Sequence, residues 1–163
     1  MSELKWLNGY EGQTIDELLG LEGEYRTDSL IFAFEQALDL KAKQHGAGAL
    51  SPEEGVIRTI EVLEREVNNG RYSQFLINGF DCVPRVVRAL ERIGCLKSAQ
   101  ITQNAISALG VPDLTLEAIE MALDSGESDD ALNACDESYY KTGEDIAESL
   151  FDFIKGKRDS ISF

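Results

Sequence analysis

Apolar residues recur every three or four positions along most of the chain. The stripes are clearest in three segments, formed by Leu30, Phe34 and Leu38, by Val56, Ile60, Leu63 and Val67, and by Ile146, Leu150 and Ile154. This period places apolar side chains on one face of an α-helix. No segment shows the sustained two-residue alternation of a half-buried strand. The sequence therefore predicts an all-α fold, a single compact multi-helix domain of about eight helices over residues 1–163.

Residues that favour helix ends divide these stripes into separate helices. Thr14 and Glu17 have the spacing of a capping box. Asn68-Asn69-Gly70 predicts a stop between a long helix and a short helix over residues 72–78, and another helix is predicted over 98–109. We predict that one further helix starts at Ser51-Pro52 and that three others start directly after the caps Asp81, Thr115 and Ser128.

The charge of the chain is strongly acidic. It has 163 residues, with 30 acidic and 15 basic side chains and a formal net charge of −15 at pH 7. A nucleic-acid binder neutralises phosphates with Lys and Arg, so this charge argues against direct binding to nucleic acid and to an anionic membrane surface. It leaves three uses open, namely a basic partner, a cation ligand, or simple solubility.

Most of the excess charge lies in one quarter of the sequence. Residues 113–152 carry thirteen acids against the single base Lys141, and no Lys or Arg occurs between Ser98 and Tyr140. Many of the acids are three or four positions apart, which places them along one helix face about 5–6 Å from each other. We predict that they form a partner-binding acidic surface made of Asp113, Glu117, Glu120, Asp124, Glu127, Asp129, Asp130, Asp136, Glu137, Glu144, Asp145, Glu148 and Asp152.

Signals for catalysis or for a bound cofactor are weak in the sequence. None of the usual nucleophile, phosphate-loop, dinucleotide or zinc motifs occurs, and the three cysteines and one histidine are widely spaced. We therefore predict a non-enzymatic protein without metal or cofactor. The sequence shows no apolar run of membrane-spanning length and no signal-peptide layout, so a cytoplasmic location is the expectation.

One string carries a resemblance to a known family. Glu66-Val67-Asn68-Asn69-Gly70, followed by Gln74-Phe75 and Asn78-Gly79, resembles the signature of the DNA-mimic protein family, bacterial all-helical proteins long described as a domain of unknown function. That pattern has a second Gly where this chain has Arg71, and aromatic residues where it has Leu76-Ile77. Asp136 with Tyr139-Tyr140 resembles a later element of the family. The similarity spans about residues 51–155, with residues 1–50 as an N-terminal helical extension.

The resemblance implies a protein that occupies the DNA-binding face of a helix-turn-helix regulator. Asn68, Asn69, Gly70, Gln74 and Asn78 are its structural signature, and we interpret them as a polar connection that fixes the angle between two helices. The leading hypothesis is therefore an interaction protein that binds a basic DNA-binding protein, such as a transcriptional repressor, and competes with DNA. The partner's identity and the oligomeric state, a homodimer included, stay open.

Two other functions are compatible with the sequence. The first is an immunity-like or adaptor protein that binds a partner through an apolar groove, with its charge serving solubility. The second is a small-ligand or catalytic site around Asn68, Asn69, Tyr72 and Gln74. A deep pocket with unpaired amides would favour this site, and amides fully bonded within the protein would disfavour it.

Overall fold

Helices form nearly all the regular structure of residues 2–163, which are the residues described by this computed structural model. The eight α-helices of this part of the chain are α1 (Ile15–Leu19), α2 (Thr27–His45), α3 (Pro52–Asn78), α4 (Val83–Arg92), α5 (Leu96–Ala108), α6 (Leu116–Ser125), α7 (Asp129–Lys141) and α8 (Ile146–Gly156). No strand forms within residues 2–163; their β-type pairs are isolated bridges at Tyr25. The predicted all-α fold of about eight helices is confirmed.

Several helix ends follow the predicted side-chain caps. Thr14 accepts the backbone N–H of Glu17, whose side chain accepts the N–H of Thr14, so the capping box is confirmed. Thr115 accepts the N–H of Ala118 at 3.1 Å at the start of α6. These bonds satisfy backbone donors that the first helical turn leaves without a partner.

Three predictions about helix starts are wrong. Ser128 and the residue preceding α4, Cys82, have helical rather than extended backbone angles, and neither makes a side-chain cap bond. The caps predicted at Asp81 and Ser128 therefore do not form, since a cap side chain reaches the first turn from an extended residue. Helix α5 begins at Leu96 instead of Ser98.

A sharp bend interrupts α3 at the predicted stop. Gly70 (φ −154°, ψ 21°) and Arg71 (φ 67°, ψ −174°) leave the helical region, and the helix resumes at Tyr72 without a loop. The predicted break after Asn69 is confirmed, but the two segments follow each other directly. Arg71 occupies a backbone region that is essentially restricted to glycine.

The chain divides into two compact units. The first comprises the residues up to Glu61 together with Asp145–Phe163, and its core includes Leu30, Phe34, Ile57 and Phe151, all fully buried. In it, α2 packs against α1 and α8.

The second unit is Val62–Glu144. Helix α5 packs against both α4 and α7, around a core that includes Tyr72, Phe75, Leu90 and Ile119. The single domain expected from the length stays a prediction. Within residues 2–163, no helix combines the length and the apolar character needed to cross a membrane.

Candidate functional site

Helix α6 presents three carboxylates on its outward face. Ile119 is fully buried and fixes the inward side of the helix, whereas Glu117, Glu120 and Asp124 are exposed. These three residues are spaced by three and four positions, so they share the side opposite Ile119. Glu117 lies in the first turn of α6, and the last turn of this helix contains no basic residue.

Helix α7 continues the acidic character with a different inward face. Leu132, Cys135 and Tyr139 are buried, and Asp130 and Glu137 are exposed on the other side. Asp130 and Glu137 lie seven positions apart, which is about two helical turns or roughly 10 Å along the axis. Asp129 at the start of α7, Asp113 before α6 and Glu127 between the two helices are exposed as well.

Eight of the predicted surface acids have no side-chain partner among the described residues. In the described part of the chain no hydrogen bond or salt bridge engages the side chains of Asp113, Glu117, Glu120, Asp124, Glu127, Asp129, Asp130 and Glu137. All eight are exposed and belong to the second unit. We call these eight residues the acidic face.

Asp136 does not belong to this surface, because its side chain is buried. It accepts the backbone N–H of Tyr72 at 2.8 Å, next to the bend of α3. Burial raises the pKa of this carboxyl above its ordinary value, and the Tyr72 N–H and the charge of Arg71 oppose that shift. Asp136 therefore holds the bend of α3 against α7.

Glu144 is engaged in capping α5. Its Oε1 accepts the N–H of Ser98 at 2.7 Å and the Ser98 hydroxyl at 2.8 Å, and its Oε2 accepts the N–H of Lys97 at 3.2 Å. Burial alone would raise the pKa of Glu144, but these bonds outweigh it and hold the pKa below its ordinary value. This carboxylate supplies the cap that no side chain at Cys95 provides.

The last three predicted acids belong to the first unit, where each has a partner within that unit. Asp145 accepts the N–H of Glu148 at 3.0 Å and caps α8. Glu148 accepts the hydroxyl of Thr27, and Asp152 pairs with Lys155 at 3.2 Å.

The Asn-Asn-Gly signature forms a polar connection across the bend of α3. Gln74 Nε2 donates to Glu66 Oε2 at 2.7 Å, and Asn78 Nδ2 donates to the same oxygen at 3.1 Å. Gly70 leaves the space that Gln74 fills, since a Cβ on Gly70 would lie 1.9 Å from Gln74 Oε1. Asn68 and Asn69 are exposed. The amides of Gln74 and Asn78 are thus used within the fold, which disfavours a ligand role for them.

The two tyrosines near the end of α7 bind the other side of the bend. Tyr140 donates its hydroxyl to the backbone carbonyl of Val67 at 2.8 Å, and Tyr139 donates to Glu64. The Tyr139 ring meets the buried Tyr72 ring edge to face at 5.6 Å. Burial is the main reason that the pKa values of Tyr72 and Tyr139 lie above the ordinary value for tyrosine.

Helix α4 carries the opposite charge. Arg85, Arg88, Arg92 and, at the start of α5, Lys97 are exposed in the same unit. Helix α5 packs against α4 and α7 in this unit. The three arginines of α4 outnumber its single acid, Glu91, whereas the acids of α7 outnumber its single base, Lys141.

An exposed apolar residue, Met121, lies among the acids of α6 and was not predicted from the sequence. Met121 is 67% exposed and follows Glu117 by four positions on α6. Its position opposite Ile119 was the available signal, because helical periodicity alone turns residue 121 outwards. Within residues 2–163, no group of three His, Cys, Asp or Glu side chains is arranged to hold a metal ion.

Comparison with known proteins gives one match. The family model described as DMP19-like protein matches residues 48–157, about two thirds of the chain. This segment contains the bend of α3, the acidic face and the Asp136–Tyr140 element. No curated protein and no solved structure matches the chain significantly.

Proposed function

Because the chain belongs to the DMP19-like protein family, a family of DNA mimics, we propose that it binds the DNA-binding face of a basic protein and competes with DNA. The partner in this proposal is a helix-turn-helix transcriptional regulator, and the acidic face makes the contact. The observation that supports it most directly is that eight exposed carboxylates lack any cationic partner in the structure that residues 2–163 form.

The linear charge density of α6 suits this role. Glu117, Glu120 and Asp124 span seven positions, a rise of about 10.5 Å along the helix axis. One strand of duplex DNA carries a phosphate about every 3.4 Å along the axis, so four successive phosphates span about 10 Å. A cationic surface that contacts one DNA strand over this length therefore finds three carboxylates over the same length on α6, a charge density close to that of the strand.

Solubility alone accounts less well for the arrangement. Like charges three or four positions apart destabilise a helix by a few tenths of a kcal/mol per pair. The second unit contains basic residues, yet none of them lies on α6, and most of them occupy α3, α4 and the start of α5. A binding surface gives a reason to keep the acids together, because clustered charge accelerates encounter with an oppositely charged partner.

Salt-dependent binding to purified regulators tests the proposal. The chain is immobilised, and every helix-turn-helix regulator encoded in the same genome is passed over it at about 50 mM and about 200 mM NaCl. We expect at least one regulator to bind, with an affinity that falls as salt increases. For that regulator, the chain should displace its labelled operator DNA. Binding that is independent of salt, or that leaves the operator bound, would contradict the proposal.

A matched pair of charge variants localises the contact. Glu117→Gln, Glu120→Gln and Asp124→Asn together remove three carboxylates from α6, changing the net charge from −15 to −12. The control variant carries Glu3→Gln, Glu11→Gln and Glu91→Gln, which are also exposed and give the same net charge. We expect the α6 variant to bind more weakly and with a smaller salt dependence. Equal loss in both variants would mean that net charge, and not the acidic face, drives binding.

A further inference from the structure

Met121 has the largest exposed fraction, 67%, of the large apolar side chains that the structure describes. Carboxylates border it along α6, with Glu117 four positions before, Glu120 directly before and Asp124 three positions after. All three are exposed. The methionine therefore lies within the acidic face, on the part of α6 whose charge resembles that of one DNA strand.

Packing inside the unit does not account for an apolar residue at this position. Ile119 is the one fully buried residue of α6, and Ala118, Ala122 and Leu123 are half-buried around it. Met121 points away from these residues, so its thioether contributes nothing to the core. A single exposed apolar residue is ordinary on a protein surface. This one, however, would be covered by any partner that pairs with the three carboxylates around it.

We infer that Met121 is the apolar contact of the acidic face and enters an apolar depression between the cationic side chains of a DNA-binding partner. This inference rests on the proposed function. The negative charge around Met121 favours a partner with a basic surface. A protein element that reads DNA in the major groove has such a surface and can also carry apolar side chains within it. There, apolar side chains contact the thymine methyl group, the main apolar feature of the base edges.

The chemistry of methionine fits that contact. Its terminal methyl group is comparable in size with the thymine methyl, and its unbranched side chain adapts to irregular apolar surfaces. The carboxylates then correspond to phosphates, and the thioether corresponds to the apolar part of a base edge. Interfaces commonly combine an apolar centre with a polar rim, and the residues in the centre contribute most of the affinity.

Three single variants test the inference on the same set of purified helix-turn-helix regulators. Met121→Gln keeps the side-chain length and removes the apolar end, while Met121→Leu keeps the apolar character. Leu96→Gln is the matched control, because Leu96 is 63% exposed at the start of α5. For a regulator that binds the unmodified chain, we expect Met121→Gln to weaken binding about fivefold to thirtyfold. Met121→Leu and Leu96→Gln should bind like the unmodified chain.

The salt dependence separates this contact from the charged one. Met121→Gln should weaken binding equally at both salt concentrations, since it changes no charge. A second readout needs no variant: hydrogen peroxide should oxidise Met121 to the sulfoxide in the free protein and more slowly in the complex. Mass spectrometry of the peptide that contains Met121 measures both rates.

Specific results would overturn the inference. These are a Met121→Gln protein that binds like the unmodified chain, a Leu96→Gln protein that is weakened as much, or equal oxidation rates in the free and bound states. If the α6 charge variant still loses binding in those cases, the proposed function stands and only the apolar contact is refuted. If no regulator binds the unmodified chain, both proposals fail.

Discussion

The buried carboxylate of Asp136 accepts the backbone N–H of Tyr72 at 2.8 Å, and this bond joins the two most distinctive strings of the sequence. Tyr72 follows the bend at Gly70-Arg71, and Asp136 begins the Asp-Tyr-Tyr element of α7. Tyr140 adds a bond to the carbonyl of Val67 on the other side of the bend. The family signature thus fixes how α3 bends and where α7 lies, and α7 carries part of the acidic face.

Removing the carboxylate of Asp136 should destabilise the protein. Asp136→Ala leaves the buried N–H of Tyr72 without its acceptor, and a hydrogen bond to a charged group contributes about 1.5–3 kcal/mol. We expect a loss of about that size in the free energy of unfolding, measured by urea denaturation. Asp136→Asn keeps an acceptor oxygen and removes a charge that burial disfavours, so it should cost less than Asp136→Ala. An equal loss in the two variants would show that the hydrogen bond is not the stabilising contact.

Arg71 should be replaceable by glycine with a gain in stability. Its backbone, at φ 67° and ψ −174°, lies in a region that costs a residue with a side chain about 1–3 kcal/mol. Glycine is free of that strain but loses more conformational entropy on folding, about 0.5–1 kcal/mol. Two interactions of Arg71 oppose the gain in part: its exposed hydrogen bond to Asn133, at 3.5 Å, and its attraction to the Asp136 carboxylate. We expect Arg71→Gly to raise the urea midpoint, and Arg71→Ala, which keeps the strain, to leave it unchanged or lower it.

The ion pair of Lys41 and Glu54 should make the first unit sensitive to acid. Glu54 is 1% exposed and pairs with Lys41 at 2.9 Å. Burial would raise its pKa, but the N–H groups of Ser162 and Ser51 and the Lys41 ammonium together hold the pKa below its ordinary value of 4.5. A lowered pKa in the folded state stabilises the protein above the ordinary pKa, and the contribution is lost as the pH falls through the folded value.

Glu54→Gln should therefore cost stability at neutral pH and progressively less in acid. Glu54→Gln removes the charge opposite the Lys41 ammonium, which keeps its bonds to Ser162, and breaking a buried ion pair costs about 3–5 kcal/mol. Urea denaturation at pH 7 and at about pH 3 measures the difference from the unmodified protein, which should shrink at the lower pH. The control is Asp39→Asn, which breaks the half-exposed pair with Arg58 at 2.8 Å and should cost about 0–1 kcal/mol. A difference between Glu54→Gln and the unmodified protein that stays constant with pH would contradict the assignment.

Local features of the sequence were predictable because their causes are local. The capping box at Thr14, the break after Asn69 and the outward position of Glu117, Glu120 and Asp124 depend on residues within one or two helical turns. The cap at Ser128 failed because that residue has helical backbone angles, which its sequence neighbourhood does not determine.

The tasks of individual acids depended on partners far along the chain. Glu144 caps α5 from 46 positions away, and Asp136 binds Tyr72 from 64 positions away. Charge and spacing alone could not separate these carboxylates from the exposed ones. A signal for Asp136 existed, however, since it lies four positions after Leu132 and three before Tyr139, on the inward face of α7.

Glu144→Gln provides the sharpest separation of structural acids from binding acids. Its carboxylate accepts three hydrogen bonds at the start of α5. Glu137, seven positions earlier in the chain, accepts none from the described residues. We expect Glu144→Gln to lower the free energy of unfolding by about 1–2 kcal/mol, because the amide replaces charge-assisted bonds with weaker ones. Glu137→Gln removes the same charge from an exposed position and should change stability by less than about 0.5 kcal/mol.

Regulator binding should respond in the opposite order: Glu137→Gln should reduce its salt dependence, while Glu144→Gln should leave it unchanged as long as the protein is folded. If Glu144→Gln reduced the salt dependence as much, then the capping carboxylate would also contact the partner, and the acidic face would extend to the start of α5.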